Sequence, residues 1–209
     1  LSKFEAQMRY ISRKYHVVPL KDVITLLKKR EKITHSVVVV TFDDGYYNNL
    51  DCVLPVVKRF SIPITIFLTT NYADLGKGSG FLGWEEIFNM HKQGVKFGAH
   101  TVTHPVLTRV SNNQAMFELR ESRRKLGSCL KDDIYFFAYP YGIFNQSIAD
   151  MVSEAGYSCA FTTVYGVNTY DSDLYKLKRI GINNNFSFEY FVANLFPYLR
   201  NIVNRTYIS

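Results

Sequence analysis

The sequence predicts an α/β fold in which parallel strands alternate with helices. Two observations carry this reading. The first is a pair of apolar runs, 37–41 (VVVVT) and 62–70 (IPITIFLTT), that show no polar alternation. That is the pattern of strands covered on both faces, as in a parallel sheet wrapped by helices. The second is order: strand-like and helix-like segments take turns along the chain, as repeated βα units require. With 209 residues the chain can bury one sizeable core, so a single domain spanning 1–209 is expected. Periodicity leaves open whether the units close into a barrel or wind both ways from a central strand.

Taken in order, two amphipathic helices are expected over 3–15 and 20–30, divided by Val17, Val18 and Pro19. Phe4, Met8 and Ile11 share one face of the first. The strand at 37–41 follows. A helix over 48–60 contains Pro55 as a kink or boundary. The strand at 62–70 leads into 71–80, whose three glycines predict a loop. A short helix at 84–92 and a third strand at 95–101 come next. A long helix at 112–130 is capped by Ser111 or Asn112. A strand at 134–139, a helix at 145–155 and a strand at 159–163 complete the alternation. A final helix is expected over 187–201, with Pro197 near its middle.

Composition is ordinary for a globular domain, with 47% hydrophobic and 21% charged residues. The aromatic share, 15%, suits a large core and also carbohydrate-stacking surfaces. Formal net charge is +7. The basic clusters at 28–32 (KKREK) and 123–125 (RRK) carry no nucleic-acid motif and read as solvated helix faces. A basic surface favours anionic surroundings such as a cell envelope. The three cysteines, Cys52, Cys129 and Cys159, are too widely spaced for a metal motif. No signal segment or transmembrane stretch is present. The chain opens directly on a helical pattern, which predicts that the domain is truncated at its N-terminus.

The strand ends hold the chemistry. The first core strand stops at Asp43-Asp44-Gly45. Adjacent carboxylates repel, so one is expected to bind a cation or titrate upward. Asp44 as a helix N-cap is the structural alternative. The third strand ends in Ala99-His100-Thr101-Val102-Thr103-His104-Pro105. Two of the chain's five histidines fall here, four residues apart, and both can reach one metal ion if the backbone turns. The fourth strand ends in Tyr139-Pro140-Tyr141-Gly142, a sharp turn able to present the Tyr141 backbone N–H. In α/β folds the carboxyl ends of strands gather ligands and catalytic groups.

Together TFDDG, HTVTH and FAYPYG resemble, in order and separation, the three leading motifs of the polysaccharide deacetylase family, the NodB-homology domain of carbohydrate esterase family four. The resemblance covers nearly the whole chain. It implies a distorted (β/α) barrel and metal-dependent removal of N-acetyl groups from an amino-sugar polysaccharide. On this pattern Asp44, His100 and His104 bind one divalent ion, zinc first, with cobalt or nickel as alternatives. Asp43 is the general base, and the Tyr141 N–H helps to hold the oxyanion. Thr101 orients the histidine loop, while Tyr139, Pro140 and Trp84 flank the sugar site; Trp84 at a helix start also reads as core.

Two departures stand out. Where the family has an arginine that tethers the base, this chain has Ala138, and no histidine follows His104 to act as the acid. Both departures resemble the subgroup that deacetylates poly-β-1,6-N-acetylglucosamine. There the acid lies before the first helix, which here places it upstream of Leu1. Arg179 is the candidate replacement tether, with a surface ion pair as its alternative. The same departures also fit a metal-binding but catalytically impaired carbohydrate module. A metal-dependent phosphoesterase does not account for FAYPYG, and adjacent carboxylates do not span a sugar as a retaining glycosidase requires. The expected setting is extracytoplasmic, on an exopolysaccharide or cell-envelope polymer.

Overall fold

The computed structural model describes residues 2–31 and 37–196. Along the chain come α1 (Ser2–Lys14), β1 (His16–Val17), α2 (Leu20–Lys28), β2 (Val37–Val38) and β3 (Val40–Phe42). Then follow α3 (Leu54–Arg59), β4 (Ile64–Leu68), α4 (Thr70–Leu75), α5 (Trp84–Lys92) and β5 (Lys96–Ala99). The chain continues through α6 (Asn112–Leu130), β6 (Phe136–Ala138), α7 (Gln146–Glu154), β7 (Cys159–Tyr165), β8 (Leu177–Arg179) and α8 (Phe188–Leu195).

Strands β3 to β8 form one sheet in sequence order, and every neighbouring pair is parallel. A doubly wound sheet reverses its order at a switch point. This one never does, so it winds in one direction as a barrel wall. The six strands curl into a half-barrel, the distorted (β/α) barrel expected from the resemblance.

The two faces of the sheet feed two apolar clusters, because successive strand residues point opposite ways. Ile64, Ile66 and Leu68 of β4 join the large cluster with the surrounding helices, whereas Phe67 joins a smaller one with Phe136, Ala138 and Phe161. The α2 residues Leu20, Ile24 and Leu27, at helical spacing, complete the smaller cluster.

The VVVV run differs from its expected form. It is half-buried rather than covered on both faces, because it lies at an edge and divides between two sheets. Val37 and Val38 pair with His16 and Val17, while Val40 begins the barrel sheet. The fully covered strand is β4. Segment 71–80 is not a plain loop: α4 occupies its first half and ends at Gly76, whose φ of 66° suits glycine. The helix expected over 48–60 starts as a π-helical turn, Asn49–Val53, before α3. Pro55 then sits in the first turn of α3, directly after that π-helical turn, so the expected boundary is a change of helix type. Ser111 is the residue that caps α6, accepting from the Gln114 N–H. β8 has no counterpart among the expected strands, since three residues with two charges show no strand pattern. Pro197 and His35 lie outside the described residues.

Candidate metal centre and active site

The site sits at the carboxyl ends of β3, β5, β6 and β8. Asp43 and Asp44 follow β3, His100 follows β5, and Tyr139 to Gly142 follow β6. His104 returns to His100 because the intervening chain turns back on itself. The Thr101 hydroxyl donates to the His100 carbonyl and accepts from the His104 N–H at 3.0 Å. Asp44, Thr101, His104 and Tyr141 all have φ between 60° and 71°. Non-glycine residues rarely adopt this left-handed region, and such residues gather where the surrounding structure holds a site in place.

What holds the histidine loop is Glu118, a residue that no motif in the sequence singles out. Its carboxylate is fully buried and accepts from the backbone N–H of Val102 (2.7 Å) and of Thr103 (2.9 Å). It also accepts from the Thr103 hydroxyl at 2.7 Å. The one signal in the sequence is a carboxylate on the apolar stripe of α6, between Ala115, Leu119 and Ser122.

Three ligand-type atoms converge. His100 Nε2 and His104 Nε2 are 3.1 Å apart. Asp44 Oδ1 lies 3.3 Å from the second and 3.6 Å from the first. Ligands held at about 2.0–2.1 Å around a tetrahedral zinc ion stand roughly 3.3 Å from one another. His100 Nδ1 is 2.6 Å from the Ala138 carbonyl oxygen, so that nitrogen carries the proton and Nε2 keeps its lone pair. Asp44 Oδ1 is buried without a hydrogen-bond partner, an unfavourable state that a cation would relieve. Burial, the largest influence, holds His100 below the ordinary imidazole pKa, which favours the neutral, ligating form. The three residues therefore fit a divalent cation, with two nitrogens and one oxygen as in open-site zinc proteins.

Asp43 has a different environment. Arg179 Nη1 and Nη2 donate to its two carboxylate oxygens, each at 2.7 Å. Arg179 is fixed in turn by its Nε–H, which donates to the Thr162 carbonyl at 2.9 Å, and by the face of Phe67. Burial alone would raise the Asp43 pKa. The Arg179 guanidinium, helped by His100 and His104, outweighs it and holds the group below the usual carboxylate range. The position that Ala138 leaves without a cation is thus supplied from β8.

The other residues expected at the site divide. The Tyr141 ring lies edge-on to His104, with centroids 4.6 Å apart. Pro140 is buried at the turn, and Gly142 (φ 70°) packs so closely on Thr163 that an added Cβ would lie 2.4 Å from its backbone nitrogen. Tyr139 is a core residue: it is fully buried, stacks on Phe144 and donates its hydroxyl to the Tyr175 carbonyl. Trp84 likewise packs against the core and donates its indole N–H to Asp74 at 2.8 Å. His91, on α5, faces Asp132 at 3.7 Å and the Val95 carbonyl. Among the described residues, the cluster able to hold a metal is Asp44, His100 and His104.

The family profile for polysaccharide deacetylases matches residues 30–160. YxkH of Bacillus subtilis (strain 168), a polysaccharide deacetylase by name, is 27% identical over 189 residues, covering 88% of this chain and 66% of its own length. The poly-β-1,6-N-acetyl-D-glucosamine N-deacetylase of Staphylococcus aureus (strain MSSA476) is 25% identical over 205 residues, covering 91% of this chain and 69% of its own. The chain thus spans about two thirds of the length of these relatives. Among solved structures, the Streptococcus pyogenes deacetylase PplD in complex with acetate superposes with a TM-score of 0.86 at 25% identity, covering 94% of this chain and 87% of that one. No helix among the described residues is long and apolar enough to cross a membrane. With three strand-end motifs assembled at one end of the barrel and the family profile matching more than half of its length, the chain belongs to the polysaccharide deacetylase family.

Proposed function

We propose that this chain is a metal-dependent hydrolase that removes N-acetyl groups from an N-acetylglucosamine-containing polysaccharide. The observation that carries the reading is the pairing of two unlike carboxylates. Asp44 points an unpartnered oxygen at two imidazoles, and Asp43 beside it is held ionised by Arg179.

When bound by Asp44, His100 and His104, a divalent cation, zinc first with cobalt or nickel as alternatives, acidifies water and polarises the acetyl carbonyl. Asp43, kept as a carboxylate, takes the proton from the attacking water. Arg179 fixes the carboxylate orientation and keeps its charge. The Tyr141 backbone N–H is assigned to the acetyl oxygen as negative charge grows there. The water oxygen bonds to the acetyl carbon, the C–N bond breaks, and the nitrogen leaves as an amine with the proton that Asp43 took from the water. The products are acetate and an amino sugar.

The Arg179–Asp43 contact supports an active enzyme over an impaired binding module, because it supplies the tether that Ala138 removes. The name of the staphylococcal relative supports a β-1,6-linked N-acetylglucosamine polymer as substrate; an extracytoplasmic setting is part of the same proposal. The test is acetate release from N-acetylglucosamine oligomers with and without a chelator. Chelator-sensitive release is expected; no release from any linkage after metal loading refutes the reading.

A further inference from the structure

Beside the candidate centre lies a row of aromatic rings whose faces the proposed chemistry leaves without a task, although the Tyr46 hydroxyl itself donates to the Asp44 carboxylate. Tyr46, two residues after Asp44, stacks on Phe81 with centroids 5.0 Å apart and planes 22° apart. Phe81 stacks on Tyr72 at 4.2 Å and 22°, and Tyr72 stands 6.2 Å from the His104 ring. The row thus runs from the surface to a metal-ligand candidate. It is rigidly mounted. Tyr46 and Phe81 form an antiparallel bridge, flanked by Tyr47 N–H to the Gly80 carbonyl (2.8 Å) and Leu82 N–H to the Gly45 carbonyl (2.9 Å). Tyr47 packs against the core, but Tyr46 is 50% exposed. Tyr141, 58% exposed, stands on the same imidazole.

The ring is held firmly by its bridge and by Phe81, yet half of it is left in solvent beside the site. Its faces carry the negative potential of the π system, which attracts polarised C–H groups. A pyranose with equatorial substituents presents just such a flat C–H face and a polar rim.

We infer that Tyr46, backed by Phe81 and Tyr72, is a stacking platform for a pyranose ring neighbouring the one that carries the reacting acetamide. This rests on the deacetylase reading and deepens it: the enzyme recognises a polymer, and activity rises with oligomer length.

The test compares kcat/KM of the metal-loaded chain on N-acetylglucosamine oligomers from dimer to pentamer, for wild type and for Tyr46→Ala, Tyr46→Phe and Tyr46→Trp. Wild type is expected to favour the pentamer. Tyr46→Ala is expected to lose about ten-fold on the pentamer, mostly in KM, and to flatten the length dependence. Phe and Trp restore the length dependence, because the ring does the stacking, while the loss of the hydroxyl's bond to Asp44 is common to all three variants and is read separately as metal content. A length dependence unchanged in Tyr46→Ala overturns the platform, as does a Phe variant whose length dependence is as flat as that of Ala at equal metal content. Calorimetric binding of the pentamer separates the two claims. A wild type that binds but releases no acetate refutes the deacetylase reading, and the platform then stands or falls on whether Tyr46→Ala loses that binding.

Discussion

Arg179 and Asp43 are 136 residues apart in sequence and joined by two parallel hydrogen bonds of 2.7 Å. They belong to the two ends of the sheet, Arg179 on β8 and Asp43 just beyond β3. The ion pair spans the gap that six strands leave open. It is well shielded, with side chains 15% and 29% exposed, so solvent weakens it less than an ordinary surface pair.

Arg179→Lys is not conservative here, because an ammonium cannot fork onto both oxygens. We expect kcat/KM to fall by at least about ten-fold in Arg179→Lys and further in Arg179→Met, at unchanged metal content. With Arg179 removed, burial is less opposed and the Asp43 pKa rises. The acid limb of the kcat/KM profile should therefore move to higher pH. An unmoved limb in Arg179→Met would show that Asp43 is not the base or that Arg179 does not set its charge.

The adjacent carboxylates should separate by variant. His100→Ala and His104→Ala are expected to abolish metal binding in equilibrium dialysis with elemental analysis, and Asp44→Asn to weaken it severely. Asp43→Asn should keep metal near the wild-type level while kcat/KM falls by about 10²–10⁴-fold. Equal metal loss in the Asp43 and Asp44 variants would mean that the roles are shared.

Glu118 touches none of the three candidate ligands directly, yet it fixes the loop between two of them. Glu118→Leu removes the oxygen, Oε2, that the Val102 and Thr103 N–H groups share, and the partner of the Thr103 hydroxyl, leaving buried donors unpaired. A loss of about 2–4 kcal/mol in unfolding free energy is expected, with weaker metal affinity. Chemical denaturation and metal titration together check this. Wild-type values in both would show that the loop holds itself.

His91 is the described histidine most open to suspicion as a proton donor, being neither exposed nor part of the triad. Its partners are Asp132 and the Val95 carbonyl, on a helix before β5. His91→Ala should leave kcat/KM within about two-fold of wild type once corrected for folded fraction. A loss of a hundred-fold or more would assign it a part in catalysis.

The sequence by itself determined which residues stand at the strand ends. TFDDG, HTVTH and FAYPYG are local strings, and a strand followed at once by a turn delivers its next residues to one end of the sheet wherever that strand lies. Helices such as α5 and α6 were legible to the residue, because 3.6-residue periodicity and the Ser111 cap are also local. The tertiary structure decided what depends on distant parts meeting. The one-way strand order made a barrel rather than a doubly wound sheet. It exposed part of the VVVV run by placing it at an edge. It curled β8 round to bring Arg179 to Asp43, although a three-residue charged strand has no readable pattern. It drove the Glu118 carboxylate inside, where unpaired backbone N–H groups of the histidine loop met it. Long-range pairing of charge and hydrogen bonds is set by how the chain closes, and no spacing along the sequence encodes that closure.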